Sequence, residues 1–104
     1  ICDSSVKIFV SETRGKRVGI FVLEQSAAVP EIIAIAVSNK RRRRGIGRRM
    51  IFQVMESERL DRITAQTDAD AIGFYRKCGF TEERVIKKYP DGISVRYQCE
   101  LRKD

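Results

Sequence analysis

The chain has 104 residues, 42% of them hydrophobic, which is enough for one small core and a single domain over residues 1–104 but not for two. It contains no histidine, so serine–histidine and cysteine–histidine nucleophile systems are excluded; its three cysteines, Cys2, Cys78 and Cys99, form no C-x-x-C pair, so neither a disulfide framework nor a metal site is expected. The net charge of +7 has one source, because seven of the ten residues from Lys40 to Arg49 are basic and none is acidic, while the remainder of the chain is charge-balanced.

Two alternating, β-branched segments open the chain, about Val6 to Glu12 and Arg17 to Glu24, and Arg14-Gly15-Lys16 between them predicts a hairpin. Glu31 to Val37 is apolar on both faces and bounded by Ser38 and Asn39, the pattern of a central strand. From Gly45 the period changes: Ile46, Met50, Ile51, Val54 and Met55 recur at helical spacing, which predicts a helix to about Leu60. Ile63 and Ala65 mark another short strand. Asp68 and Asp70 then offer carboxylate caps to a second helix through Phe74, Tyr75 and Cys78, stopped by Gly79. Two strand-like segments, about Glu83 to Lys88 and Ile93 to Leu101, close the chain through Tyr89-Pro90-Asp91-Gly92. Strands around two helices, with hairpins at both ends, indicate an α/β or α+β sheet of mixed direction.

The longest apolar run, Ile32 to Val37, is far short of a membrane span, and the N-terminus lacks a signal-peptide pattern. A cytoplasmic protein with reduced thiols and no membrane partner is therefore expected. Without histidine, proton transfer falls to Glu, Asp, Tyr, Lys, Cys, water or the termini.

The strand, glycine-containing turn and helix around Gly45 form an arrangement in which free backbone N–H groups and the positive end of the helix dipole face an anion. Arg48 and Arg49 sit in the first helical turn, where positive charge costs a few tenths to about 1 kcal/mol each. A bound pyrophosphate would offset this through charge-assisted hydrogen bonds of about 1.5–3 kcal/mol each. The spacing Gly45-Ile46-Gly47-Arg48-Arg49-Met50 matches neither a Walker A loop nor G-x-G-x-x-G.

Arg42-Arg43-Arg44-Gly45-Ile46-Gly47 resembles the Q/R-x-x-G-x-G/A acetyl-CoA signature of the GNAT N-acetyltransferases, and Asp68 to Phe80 resembles that family's N-x-x-A-x-x-F-Y-x-K-x-G-F segment. The resemblance implies a mixed, mostly antiparallel sheet of about six strands with two main helices. It also implies a chain short at its N-terminus, since the family's usual first strand and helices precede the hairpin. Acetyl-CoA is the implied cosubstrate, with no metal. Its pantetheine arm would lie between two splayed strands along Ile35, Ala36 and Val37. Its pyrophosphate would meet Arg42, Arg43, Arg44, Gly45, Ile46, Gly47 and Arg48. Asp68 stands where the family usually has Asn, so a cofactor contact and a helix cap are both open to it. Lys77 would approach the 3′-phosphate or remain a solvated lysine.

By the same resemblance Tyr75 would protonate the departing thiolate as a neutral amine attacks the thioester; the alternative is core packing beside Phe74 and Phe80. Glu31 is the candidate base, on the nominal face of Ile33 and Ile35, against the reading of an exposed strand-end glutamate. Cys78 reads as an ordinary buried thiol. The implied partner is a small-molecule or protein amine, and a homodimer paired through the last strand is a further expectation. Two rival readings stand beside transfer: a CoA-binding domain without catalysis, and an arginine-rich nucleic-acid module. The charge balance outside the basic segment, and the absence of aromatics within it, argue against nucleic acid.

Overall fold

The computed structural model describes residues 5–38 and 45–103. Its elements run β1 Val6–Thr13, β2 Lys16–Glu24, β3 Glu31–Val37, α1 Ile46–Ser57, β4 Arg62–Thr67, α2 Ile72–Lys77, β5 Thr81–Tyr89 and β6 Gly92–Arg102. The six strands form one sheet in the order β1-β2-β3-β4-β6-β5. Only β3 and β4 are parallel neighbours, and α1 supplies the crossover that a parallel pair requires. The expected mixed, mostly antiparallel α+β sheet is thus the fold.

Both helices pack on one face of this sheet. Phe21 and Leu23 of β2, Ile32 of β3, Ile63 and Ala65 of β4, and Cys99 and Leu101 of β6 meet Met50, Ile51, Val54 and Met55 of α1 and Ile72, Tyr75 and Cys78 of α2 in a single core. Alternation sends the intervening side chains to the other face, where Ile8, Val10 and Ile20 are 64%, 48% and 41% exposed. β3 was expected to be buried on both faces. It is third of the six strands, but Ala34 and Ala36 are exposed and Ile33 is 55% exposed, because among the described residues helices cover one face only.

A β-bulge interrupts β3. Leu23 pairs with Ile32 and Val22 with Ala34, so Ile33 is an extra residue outside the register. The bulge reverses the parity of the strand: Ile32 faces the helices before it, and Ile35 and Val37, opposite Phe21 and Gly19, face them after it. Glu31 therefore lies on the face opposite Ile35, which corrects the expectation that the two share a face.

Two further boundaries differ from expectation. α1 ends at Ser57 and not near Leu60, because Arg59 turns left-handed (φ 54°) and Leu60 N–H donates back to Met55 O at 2.8 Å. The last strand is only in part an interior strand: β6 pairs with β5 from Gly92 to Glu100 but with β4 only from Tyr97 to Arg102, so from Gly92 to Arg96 it is paired on the β5 side alone.

On the uncovered face, Glu100 of β6 is clamped by two arginines. Arg62 of β4 donates to both carboxylate oxygens at 2.8 and 3.2 Å, and Arg102 donates at 2.6 Å. These hydrogen bonds, that of Arg62 foremost, hold the carboxyl at about 2. A carboxyl depressed on folding stabilises the native state above its ordinary value, 4.5, and loses that contribution as the pH falls toward 2. The difference in Tm between the wild-type chain and Glu100→Gln, followed by circular dichroism, is expected to shrink steadily across that interval; a difference constant with pH would mean that the clamp contributes nothing.

Candidate functional site

The pairing of β3 with β4 is short. Thr64 N–H donates to Pro30 O at 2.9 Å, Glu31 stands opposite Thr64 and Ile32 opposite Ala65, and there the paired register stops although β3 continues to Val37 and β4 to Thr67. Beyond the bulge β3 stays with β2, and Ser38 N–H donates to Val18 O at 2.8 Å. Counting back by twos, the main chains of Ala36 and Ala34 turn toward β2 and that of Ile35 turns toward the gap. Of the three residues expected along the pantetheine arm, Ile35 and Val37 share the parity that turns the main chain away from β2, while Ala36 is committed to β2.

α1 begins at the open end of this cleft. Gly45 is left-handed (φ 74°, ψ 13°), and the first helical hydrogen bond runs from Arg49 N–H to Gly45 O at 3.0 Å. The N–H groups of Ile46, Gly47 and Arg48 thus precede the helical ladder and point out of the helix end. Among the described residues no side chain caps this end, and no acidic residue lies in the first turn. The dipole and the N–H donors are left for an anion. Arg48 is exposed and lays its guanidinium over the Phe52 ring, 5.4 Å from the centroid. Arg42, Arg43 and Arg44 lie outside the described residues.

Gly47 is buried, and a Cβ there would meet Cε1 and Cζ of Phe74 at 2.9 Å and Cγ2 of Val37 at 3.7 Å. This contact joins the helix start, the end of β3 and the second motif. Phe74 in turn meets Tyr75 edge-on (5.2 Å, 74°), and Tyr75 meets Phe80 in the same way (5.2 Å, 78°). Tyr75 is 7% exposed, and burial, with Cys99 and Cys78 nearby, pushes its hydroxyl up to about 12. Its ring is therefore packed as the core-packing reading expected, and its hydroxyl stays protonated throughout the neutral range. Burial likewise raises the thiols of Cys78 and Cys99, the state of unreactive buried cysteines.

Glu31 is half-buried at the foot of the cleft, directly across from Glu24 on β2. Its neighbour Ile32 pairs with Ala65, and Ala65 pairs with Cys99, beside which Tyr75 lies. Glu31 and Tyr75 are thus level with each other along the sheet but on opposite faces. Asp68 Oδ1 accepts from the N–H groups of Asp70 and Ala71, both at 3.1 Å, which makes it the cap of the turn into α2. Lys77, the last residue of α2, is exposed. Phe74 entered the sequence reading only as a motif position and a neighbour of Tyr75; its contact with Gly47 joins residues 27 apart and left no local signal. Among the described residues no group of His, Cys, Asp or Glu is placed to hold a metal ion, and no helix is long and apolar enough to cross a membrane.

Known proteins place this arrangement. Residues 4–82 match the model of the acetyltransferase (GNAT) domain, so the chain belongs to the GNAT acetyltransferases, enzymes that take acetyl-CoA as cosubstrate. No curated protein matches the chain in sequence. Among solved structures, the ribosomal-protein-S18-alanine N-acetyltransferase from Escherichia coli superposes with a TM-score of 0.76 at 20% identity, over 97% of this chain and 71% of that one. A protein of Bacillus anthracis str. Ames assigned as a streptothricin acetyltransferase, in complex with acetyl coenzyme A, gives 0.81 at 23% identity, over 100% and 67%. A GNAT family acetyltransferase from Elizabethkingia anophelis with acetyl-CoA bound gives 0.75 at 20% identity, over 96% and 78%. At these identities the likeness carries the fold.

At Gly45 a side chain would meet none of the described residues within 4 Å, so against them the cost of substitution is conformational. Gly45→Ala is expected to lose about 1 kcal/mol of stability in urea titration, and Gly45→Asn less, because asparagine tolerates the left-handed region. Equal losses for the two would remove the backbone explanation.

Proposed function

We propose that this chain transfers the acetyl group of acetyl-CoA to a primary amine by direct attack with both substrates bound. The observation that carries the proposal is the divergence of β3 from β4 beyond Ile32 and Ala65, with the uncapped start of α1 at its open end. An extended arm fits the cleft and can bond the main chain of Ile35, while a pyrophosphate fits the N–H groups of Ile46, Gly47 and Arg48. Arg42, Arg43 and Arg44 add charge by their place in the sequence. Acetyl-CoA supplies the activated thioester.

In this reading Glu31 takes the proton of the incoming ammonium from the uncovered face, and the neutral amine attacks the carbonyl. Tyr75 serves the sulfur from the helix side. Full transfer from a phenol pushed up to about 12 to a free thiolate is uphill, because an ordinary thiol is the stronger acid. Tyr75 accordingly donates a hydrogen bond as the C–S bond breaks, and any proton it gives up is replaced by the one the amine loses. The acceptors named for two proteins of this fold, ribosomal protein S18 and streptothricin, support an amine on either a protein or a small molecule.

Thermal unfolding with acetyl-CoA, CoA and a short oligonucleotide at matched salt tests the binding step. Saturable stabilisation by acetyl-CoA, about 2.7 kcal/mol at a hundredfold excess over Kd, is expected. Stabilisation by the oligonucleotide alone would replace this reading with the nucleic-acid one.

The chemistry has its own test. Tyr75→Phe is expected to bind acetyl-CoA normally and turn over about a hundredfold more slowly, and Glu31→Gln to lower turnover with acetyl-CoA binding unchanged. Unchanged turnover in Tyr75→Phe would return the tyrosine to a packing role. Binding without turnover on any amine would favour the non-catalytic CoA-binding reading.

A further inference from the structure

The two glycines of the helix start are required for different reasons, and the difference points to a residue with no assigned role. Gly45 is set by its backbone, and no described residue lies within 4 Å of where its side chain would be. Gly47 is the first-turn residue packed under an aromatic ring, with the edge of Phe74 where a Cβ would be. That ring has little freedom to yield: it packs on the core and is held edge-on by Tyr75, which is itself held by Phe80. Although the family signature admits alanine at this position, here the ring would have to retreat by several tenths of an ångström, and Tyr75 with it.

We infer that Phe74 is a positioning residue: its ring fixes the first turn of α1 against Tyr75 and so sets the distance between the two ends of one extended ligand. The inference rests on the acetyl-CoA reading above. The N–H groups of Ile46, Gly47 and Arg48 serve the pyrophosphate end, and Tyr75 serves the sulfur end. Between them the described contact runs through Phe74, which touches Gly47 on one side and Tyr75 on the other. A ligand that occupies only one end is indifferent to this spacing. A ligand that spans both is not.

Three variants test it: Phe74→Leu, Gly47→Ala and the double variant. Each is followed by thermal unfolding without ligand and by calorimetric titration with acetyl-CoA and with its fragment adenosine 3′-phosphate 5′-diphosphate, which lacks the pantetheine arm. Phe74→Leu is expected to weaken acetyl-CoA about tenfold and leave the fragment unchanged. Gly47→Ala is expected to lower Tm by several degrees, and the double variant to unfold close to Phe74→Leu alone, because the ring edge that the new methyl would strike has gone. If Gly47→Ala does not accumulate in folded form, recovery of folded protein in the double variant gives the same answer.

Additive losses in the double variant, or no recovery, would overturn the packing part. Equal weakening of acetyl-CoA and fragment by Phe74→Leu would overturn the positioning part. Should the wild-type chain bind neither ligand, the acetyl-CoA reading fails and the positioning role fails with it, while the unfolding measurements still decide whether the ring limits the size of residue 47.

Discussion

The extra residue at Ile33 is the constraint on which the rest depends. A strand that accommodates a bulge bends and twists more strongly, and it cannot keep both neighbours in register. Here β3 keeps β2, through Val37 opposite Gly19, and leaves β4 after Ile32. Divergence opens the sheet between its two parallel strands. It also changes which residues of β3 face the helices, bringing Ile35 and Val37 to the side where α1 begins and leaving Glu31 on the other.

The charge then has a place to act. Arg48 and Arg49 are unfavourable at the positive end of a helix, and among the described residues this end has neither a side-chain cap nor an acidic first turn. Such an arrangement is under-satisfied without an anion. On the helix side of the sheet Tyr75 is packed against Phe74 and Phe80, and burial keeps its hydroxyl protonated, while Glu31 stands at the foot of the cleft on the other face. In the proposed function the N–H donors meet the pyrophosphate of acetyl-CoA and the Tyr75 hydroxyl meets its thioester.

Most of the element order was legible because local rules govern it. β3 falls on the expected residues, and Arg14-Gly15 form the first turn with positive φ at both. α2 stops before Gly79, with Gly79 N–H bonded to Arg76 O. The cap formed by Asp68 was legible for the same reason, since its partners are two and three residues away. The parity of β3 was not legible, because a bulge is decided by the competition of two neighbouring strands. Nor was the exposure of Ile33, because an apolar run does not say how many of its faces will be covered.

By itself the sequence determined the periodicities that make the strands and helices, the confinement of charge to one segment, the glycine that ends the cleft in a left-handed turn, and the exclusion of histidine chemistry. These are properties of residue type and spacing within a few positions. Only the tertiary structure decided that β3 parts from β4, that Glu31 and Tyr75 stand level on opposite faces, and that Phe74 rests on Gly47. Each of these joins residues far apart in the chain, and their contacts exist only once the core has fixed how the elements lie against one another.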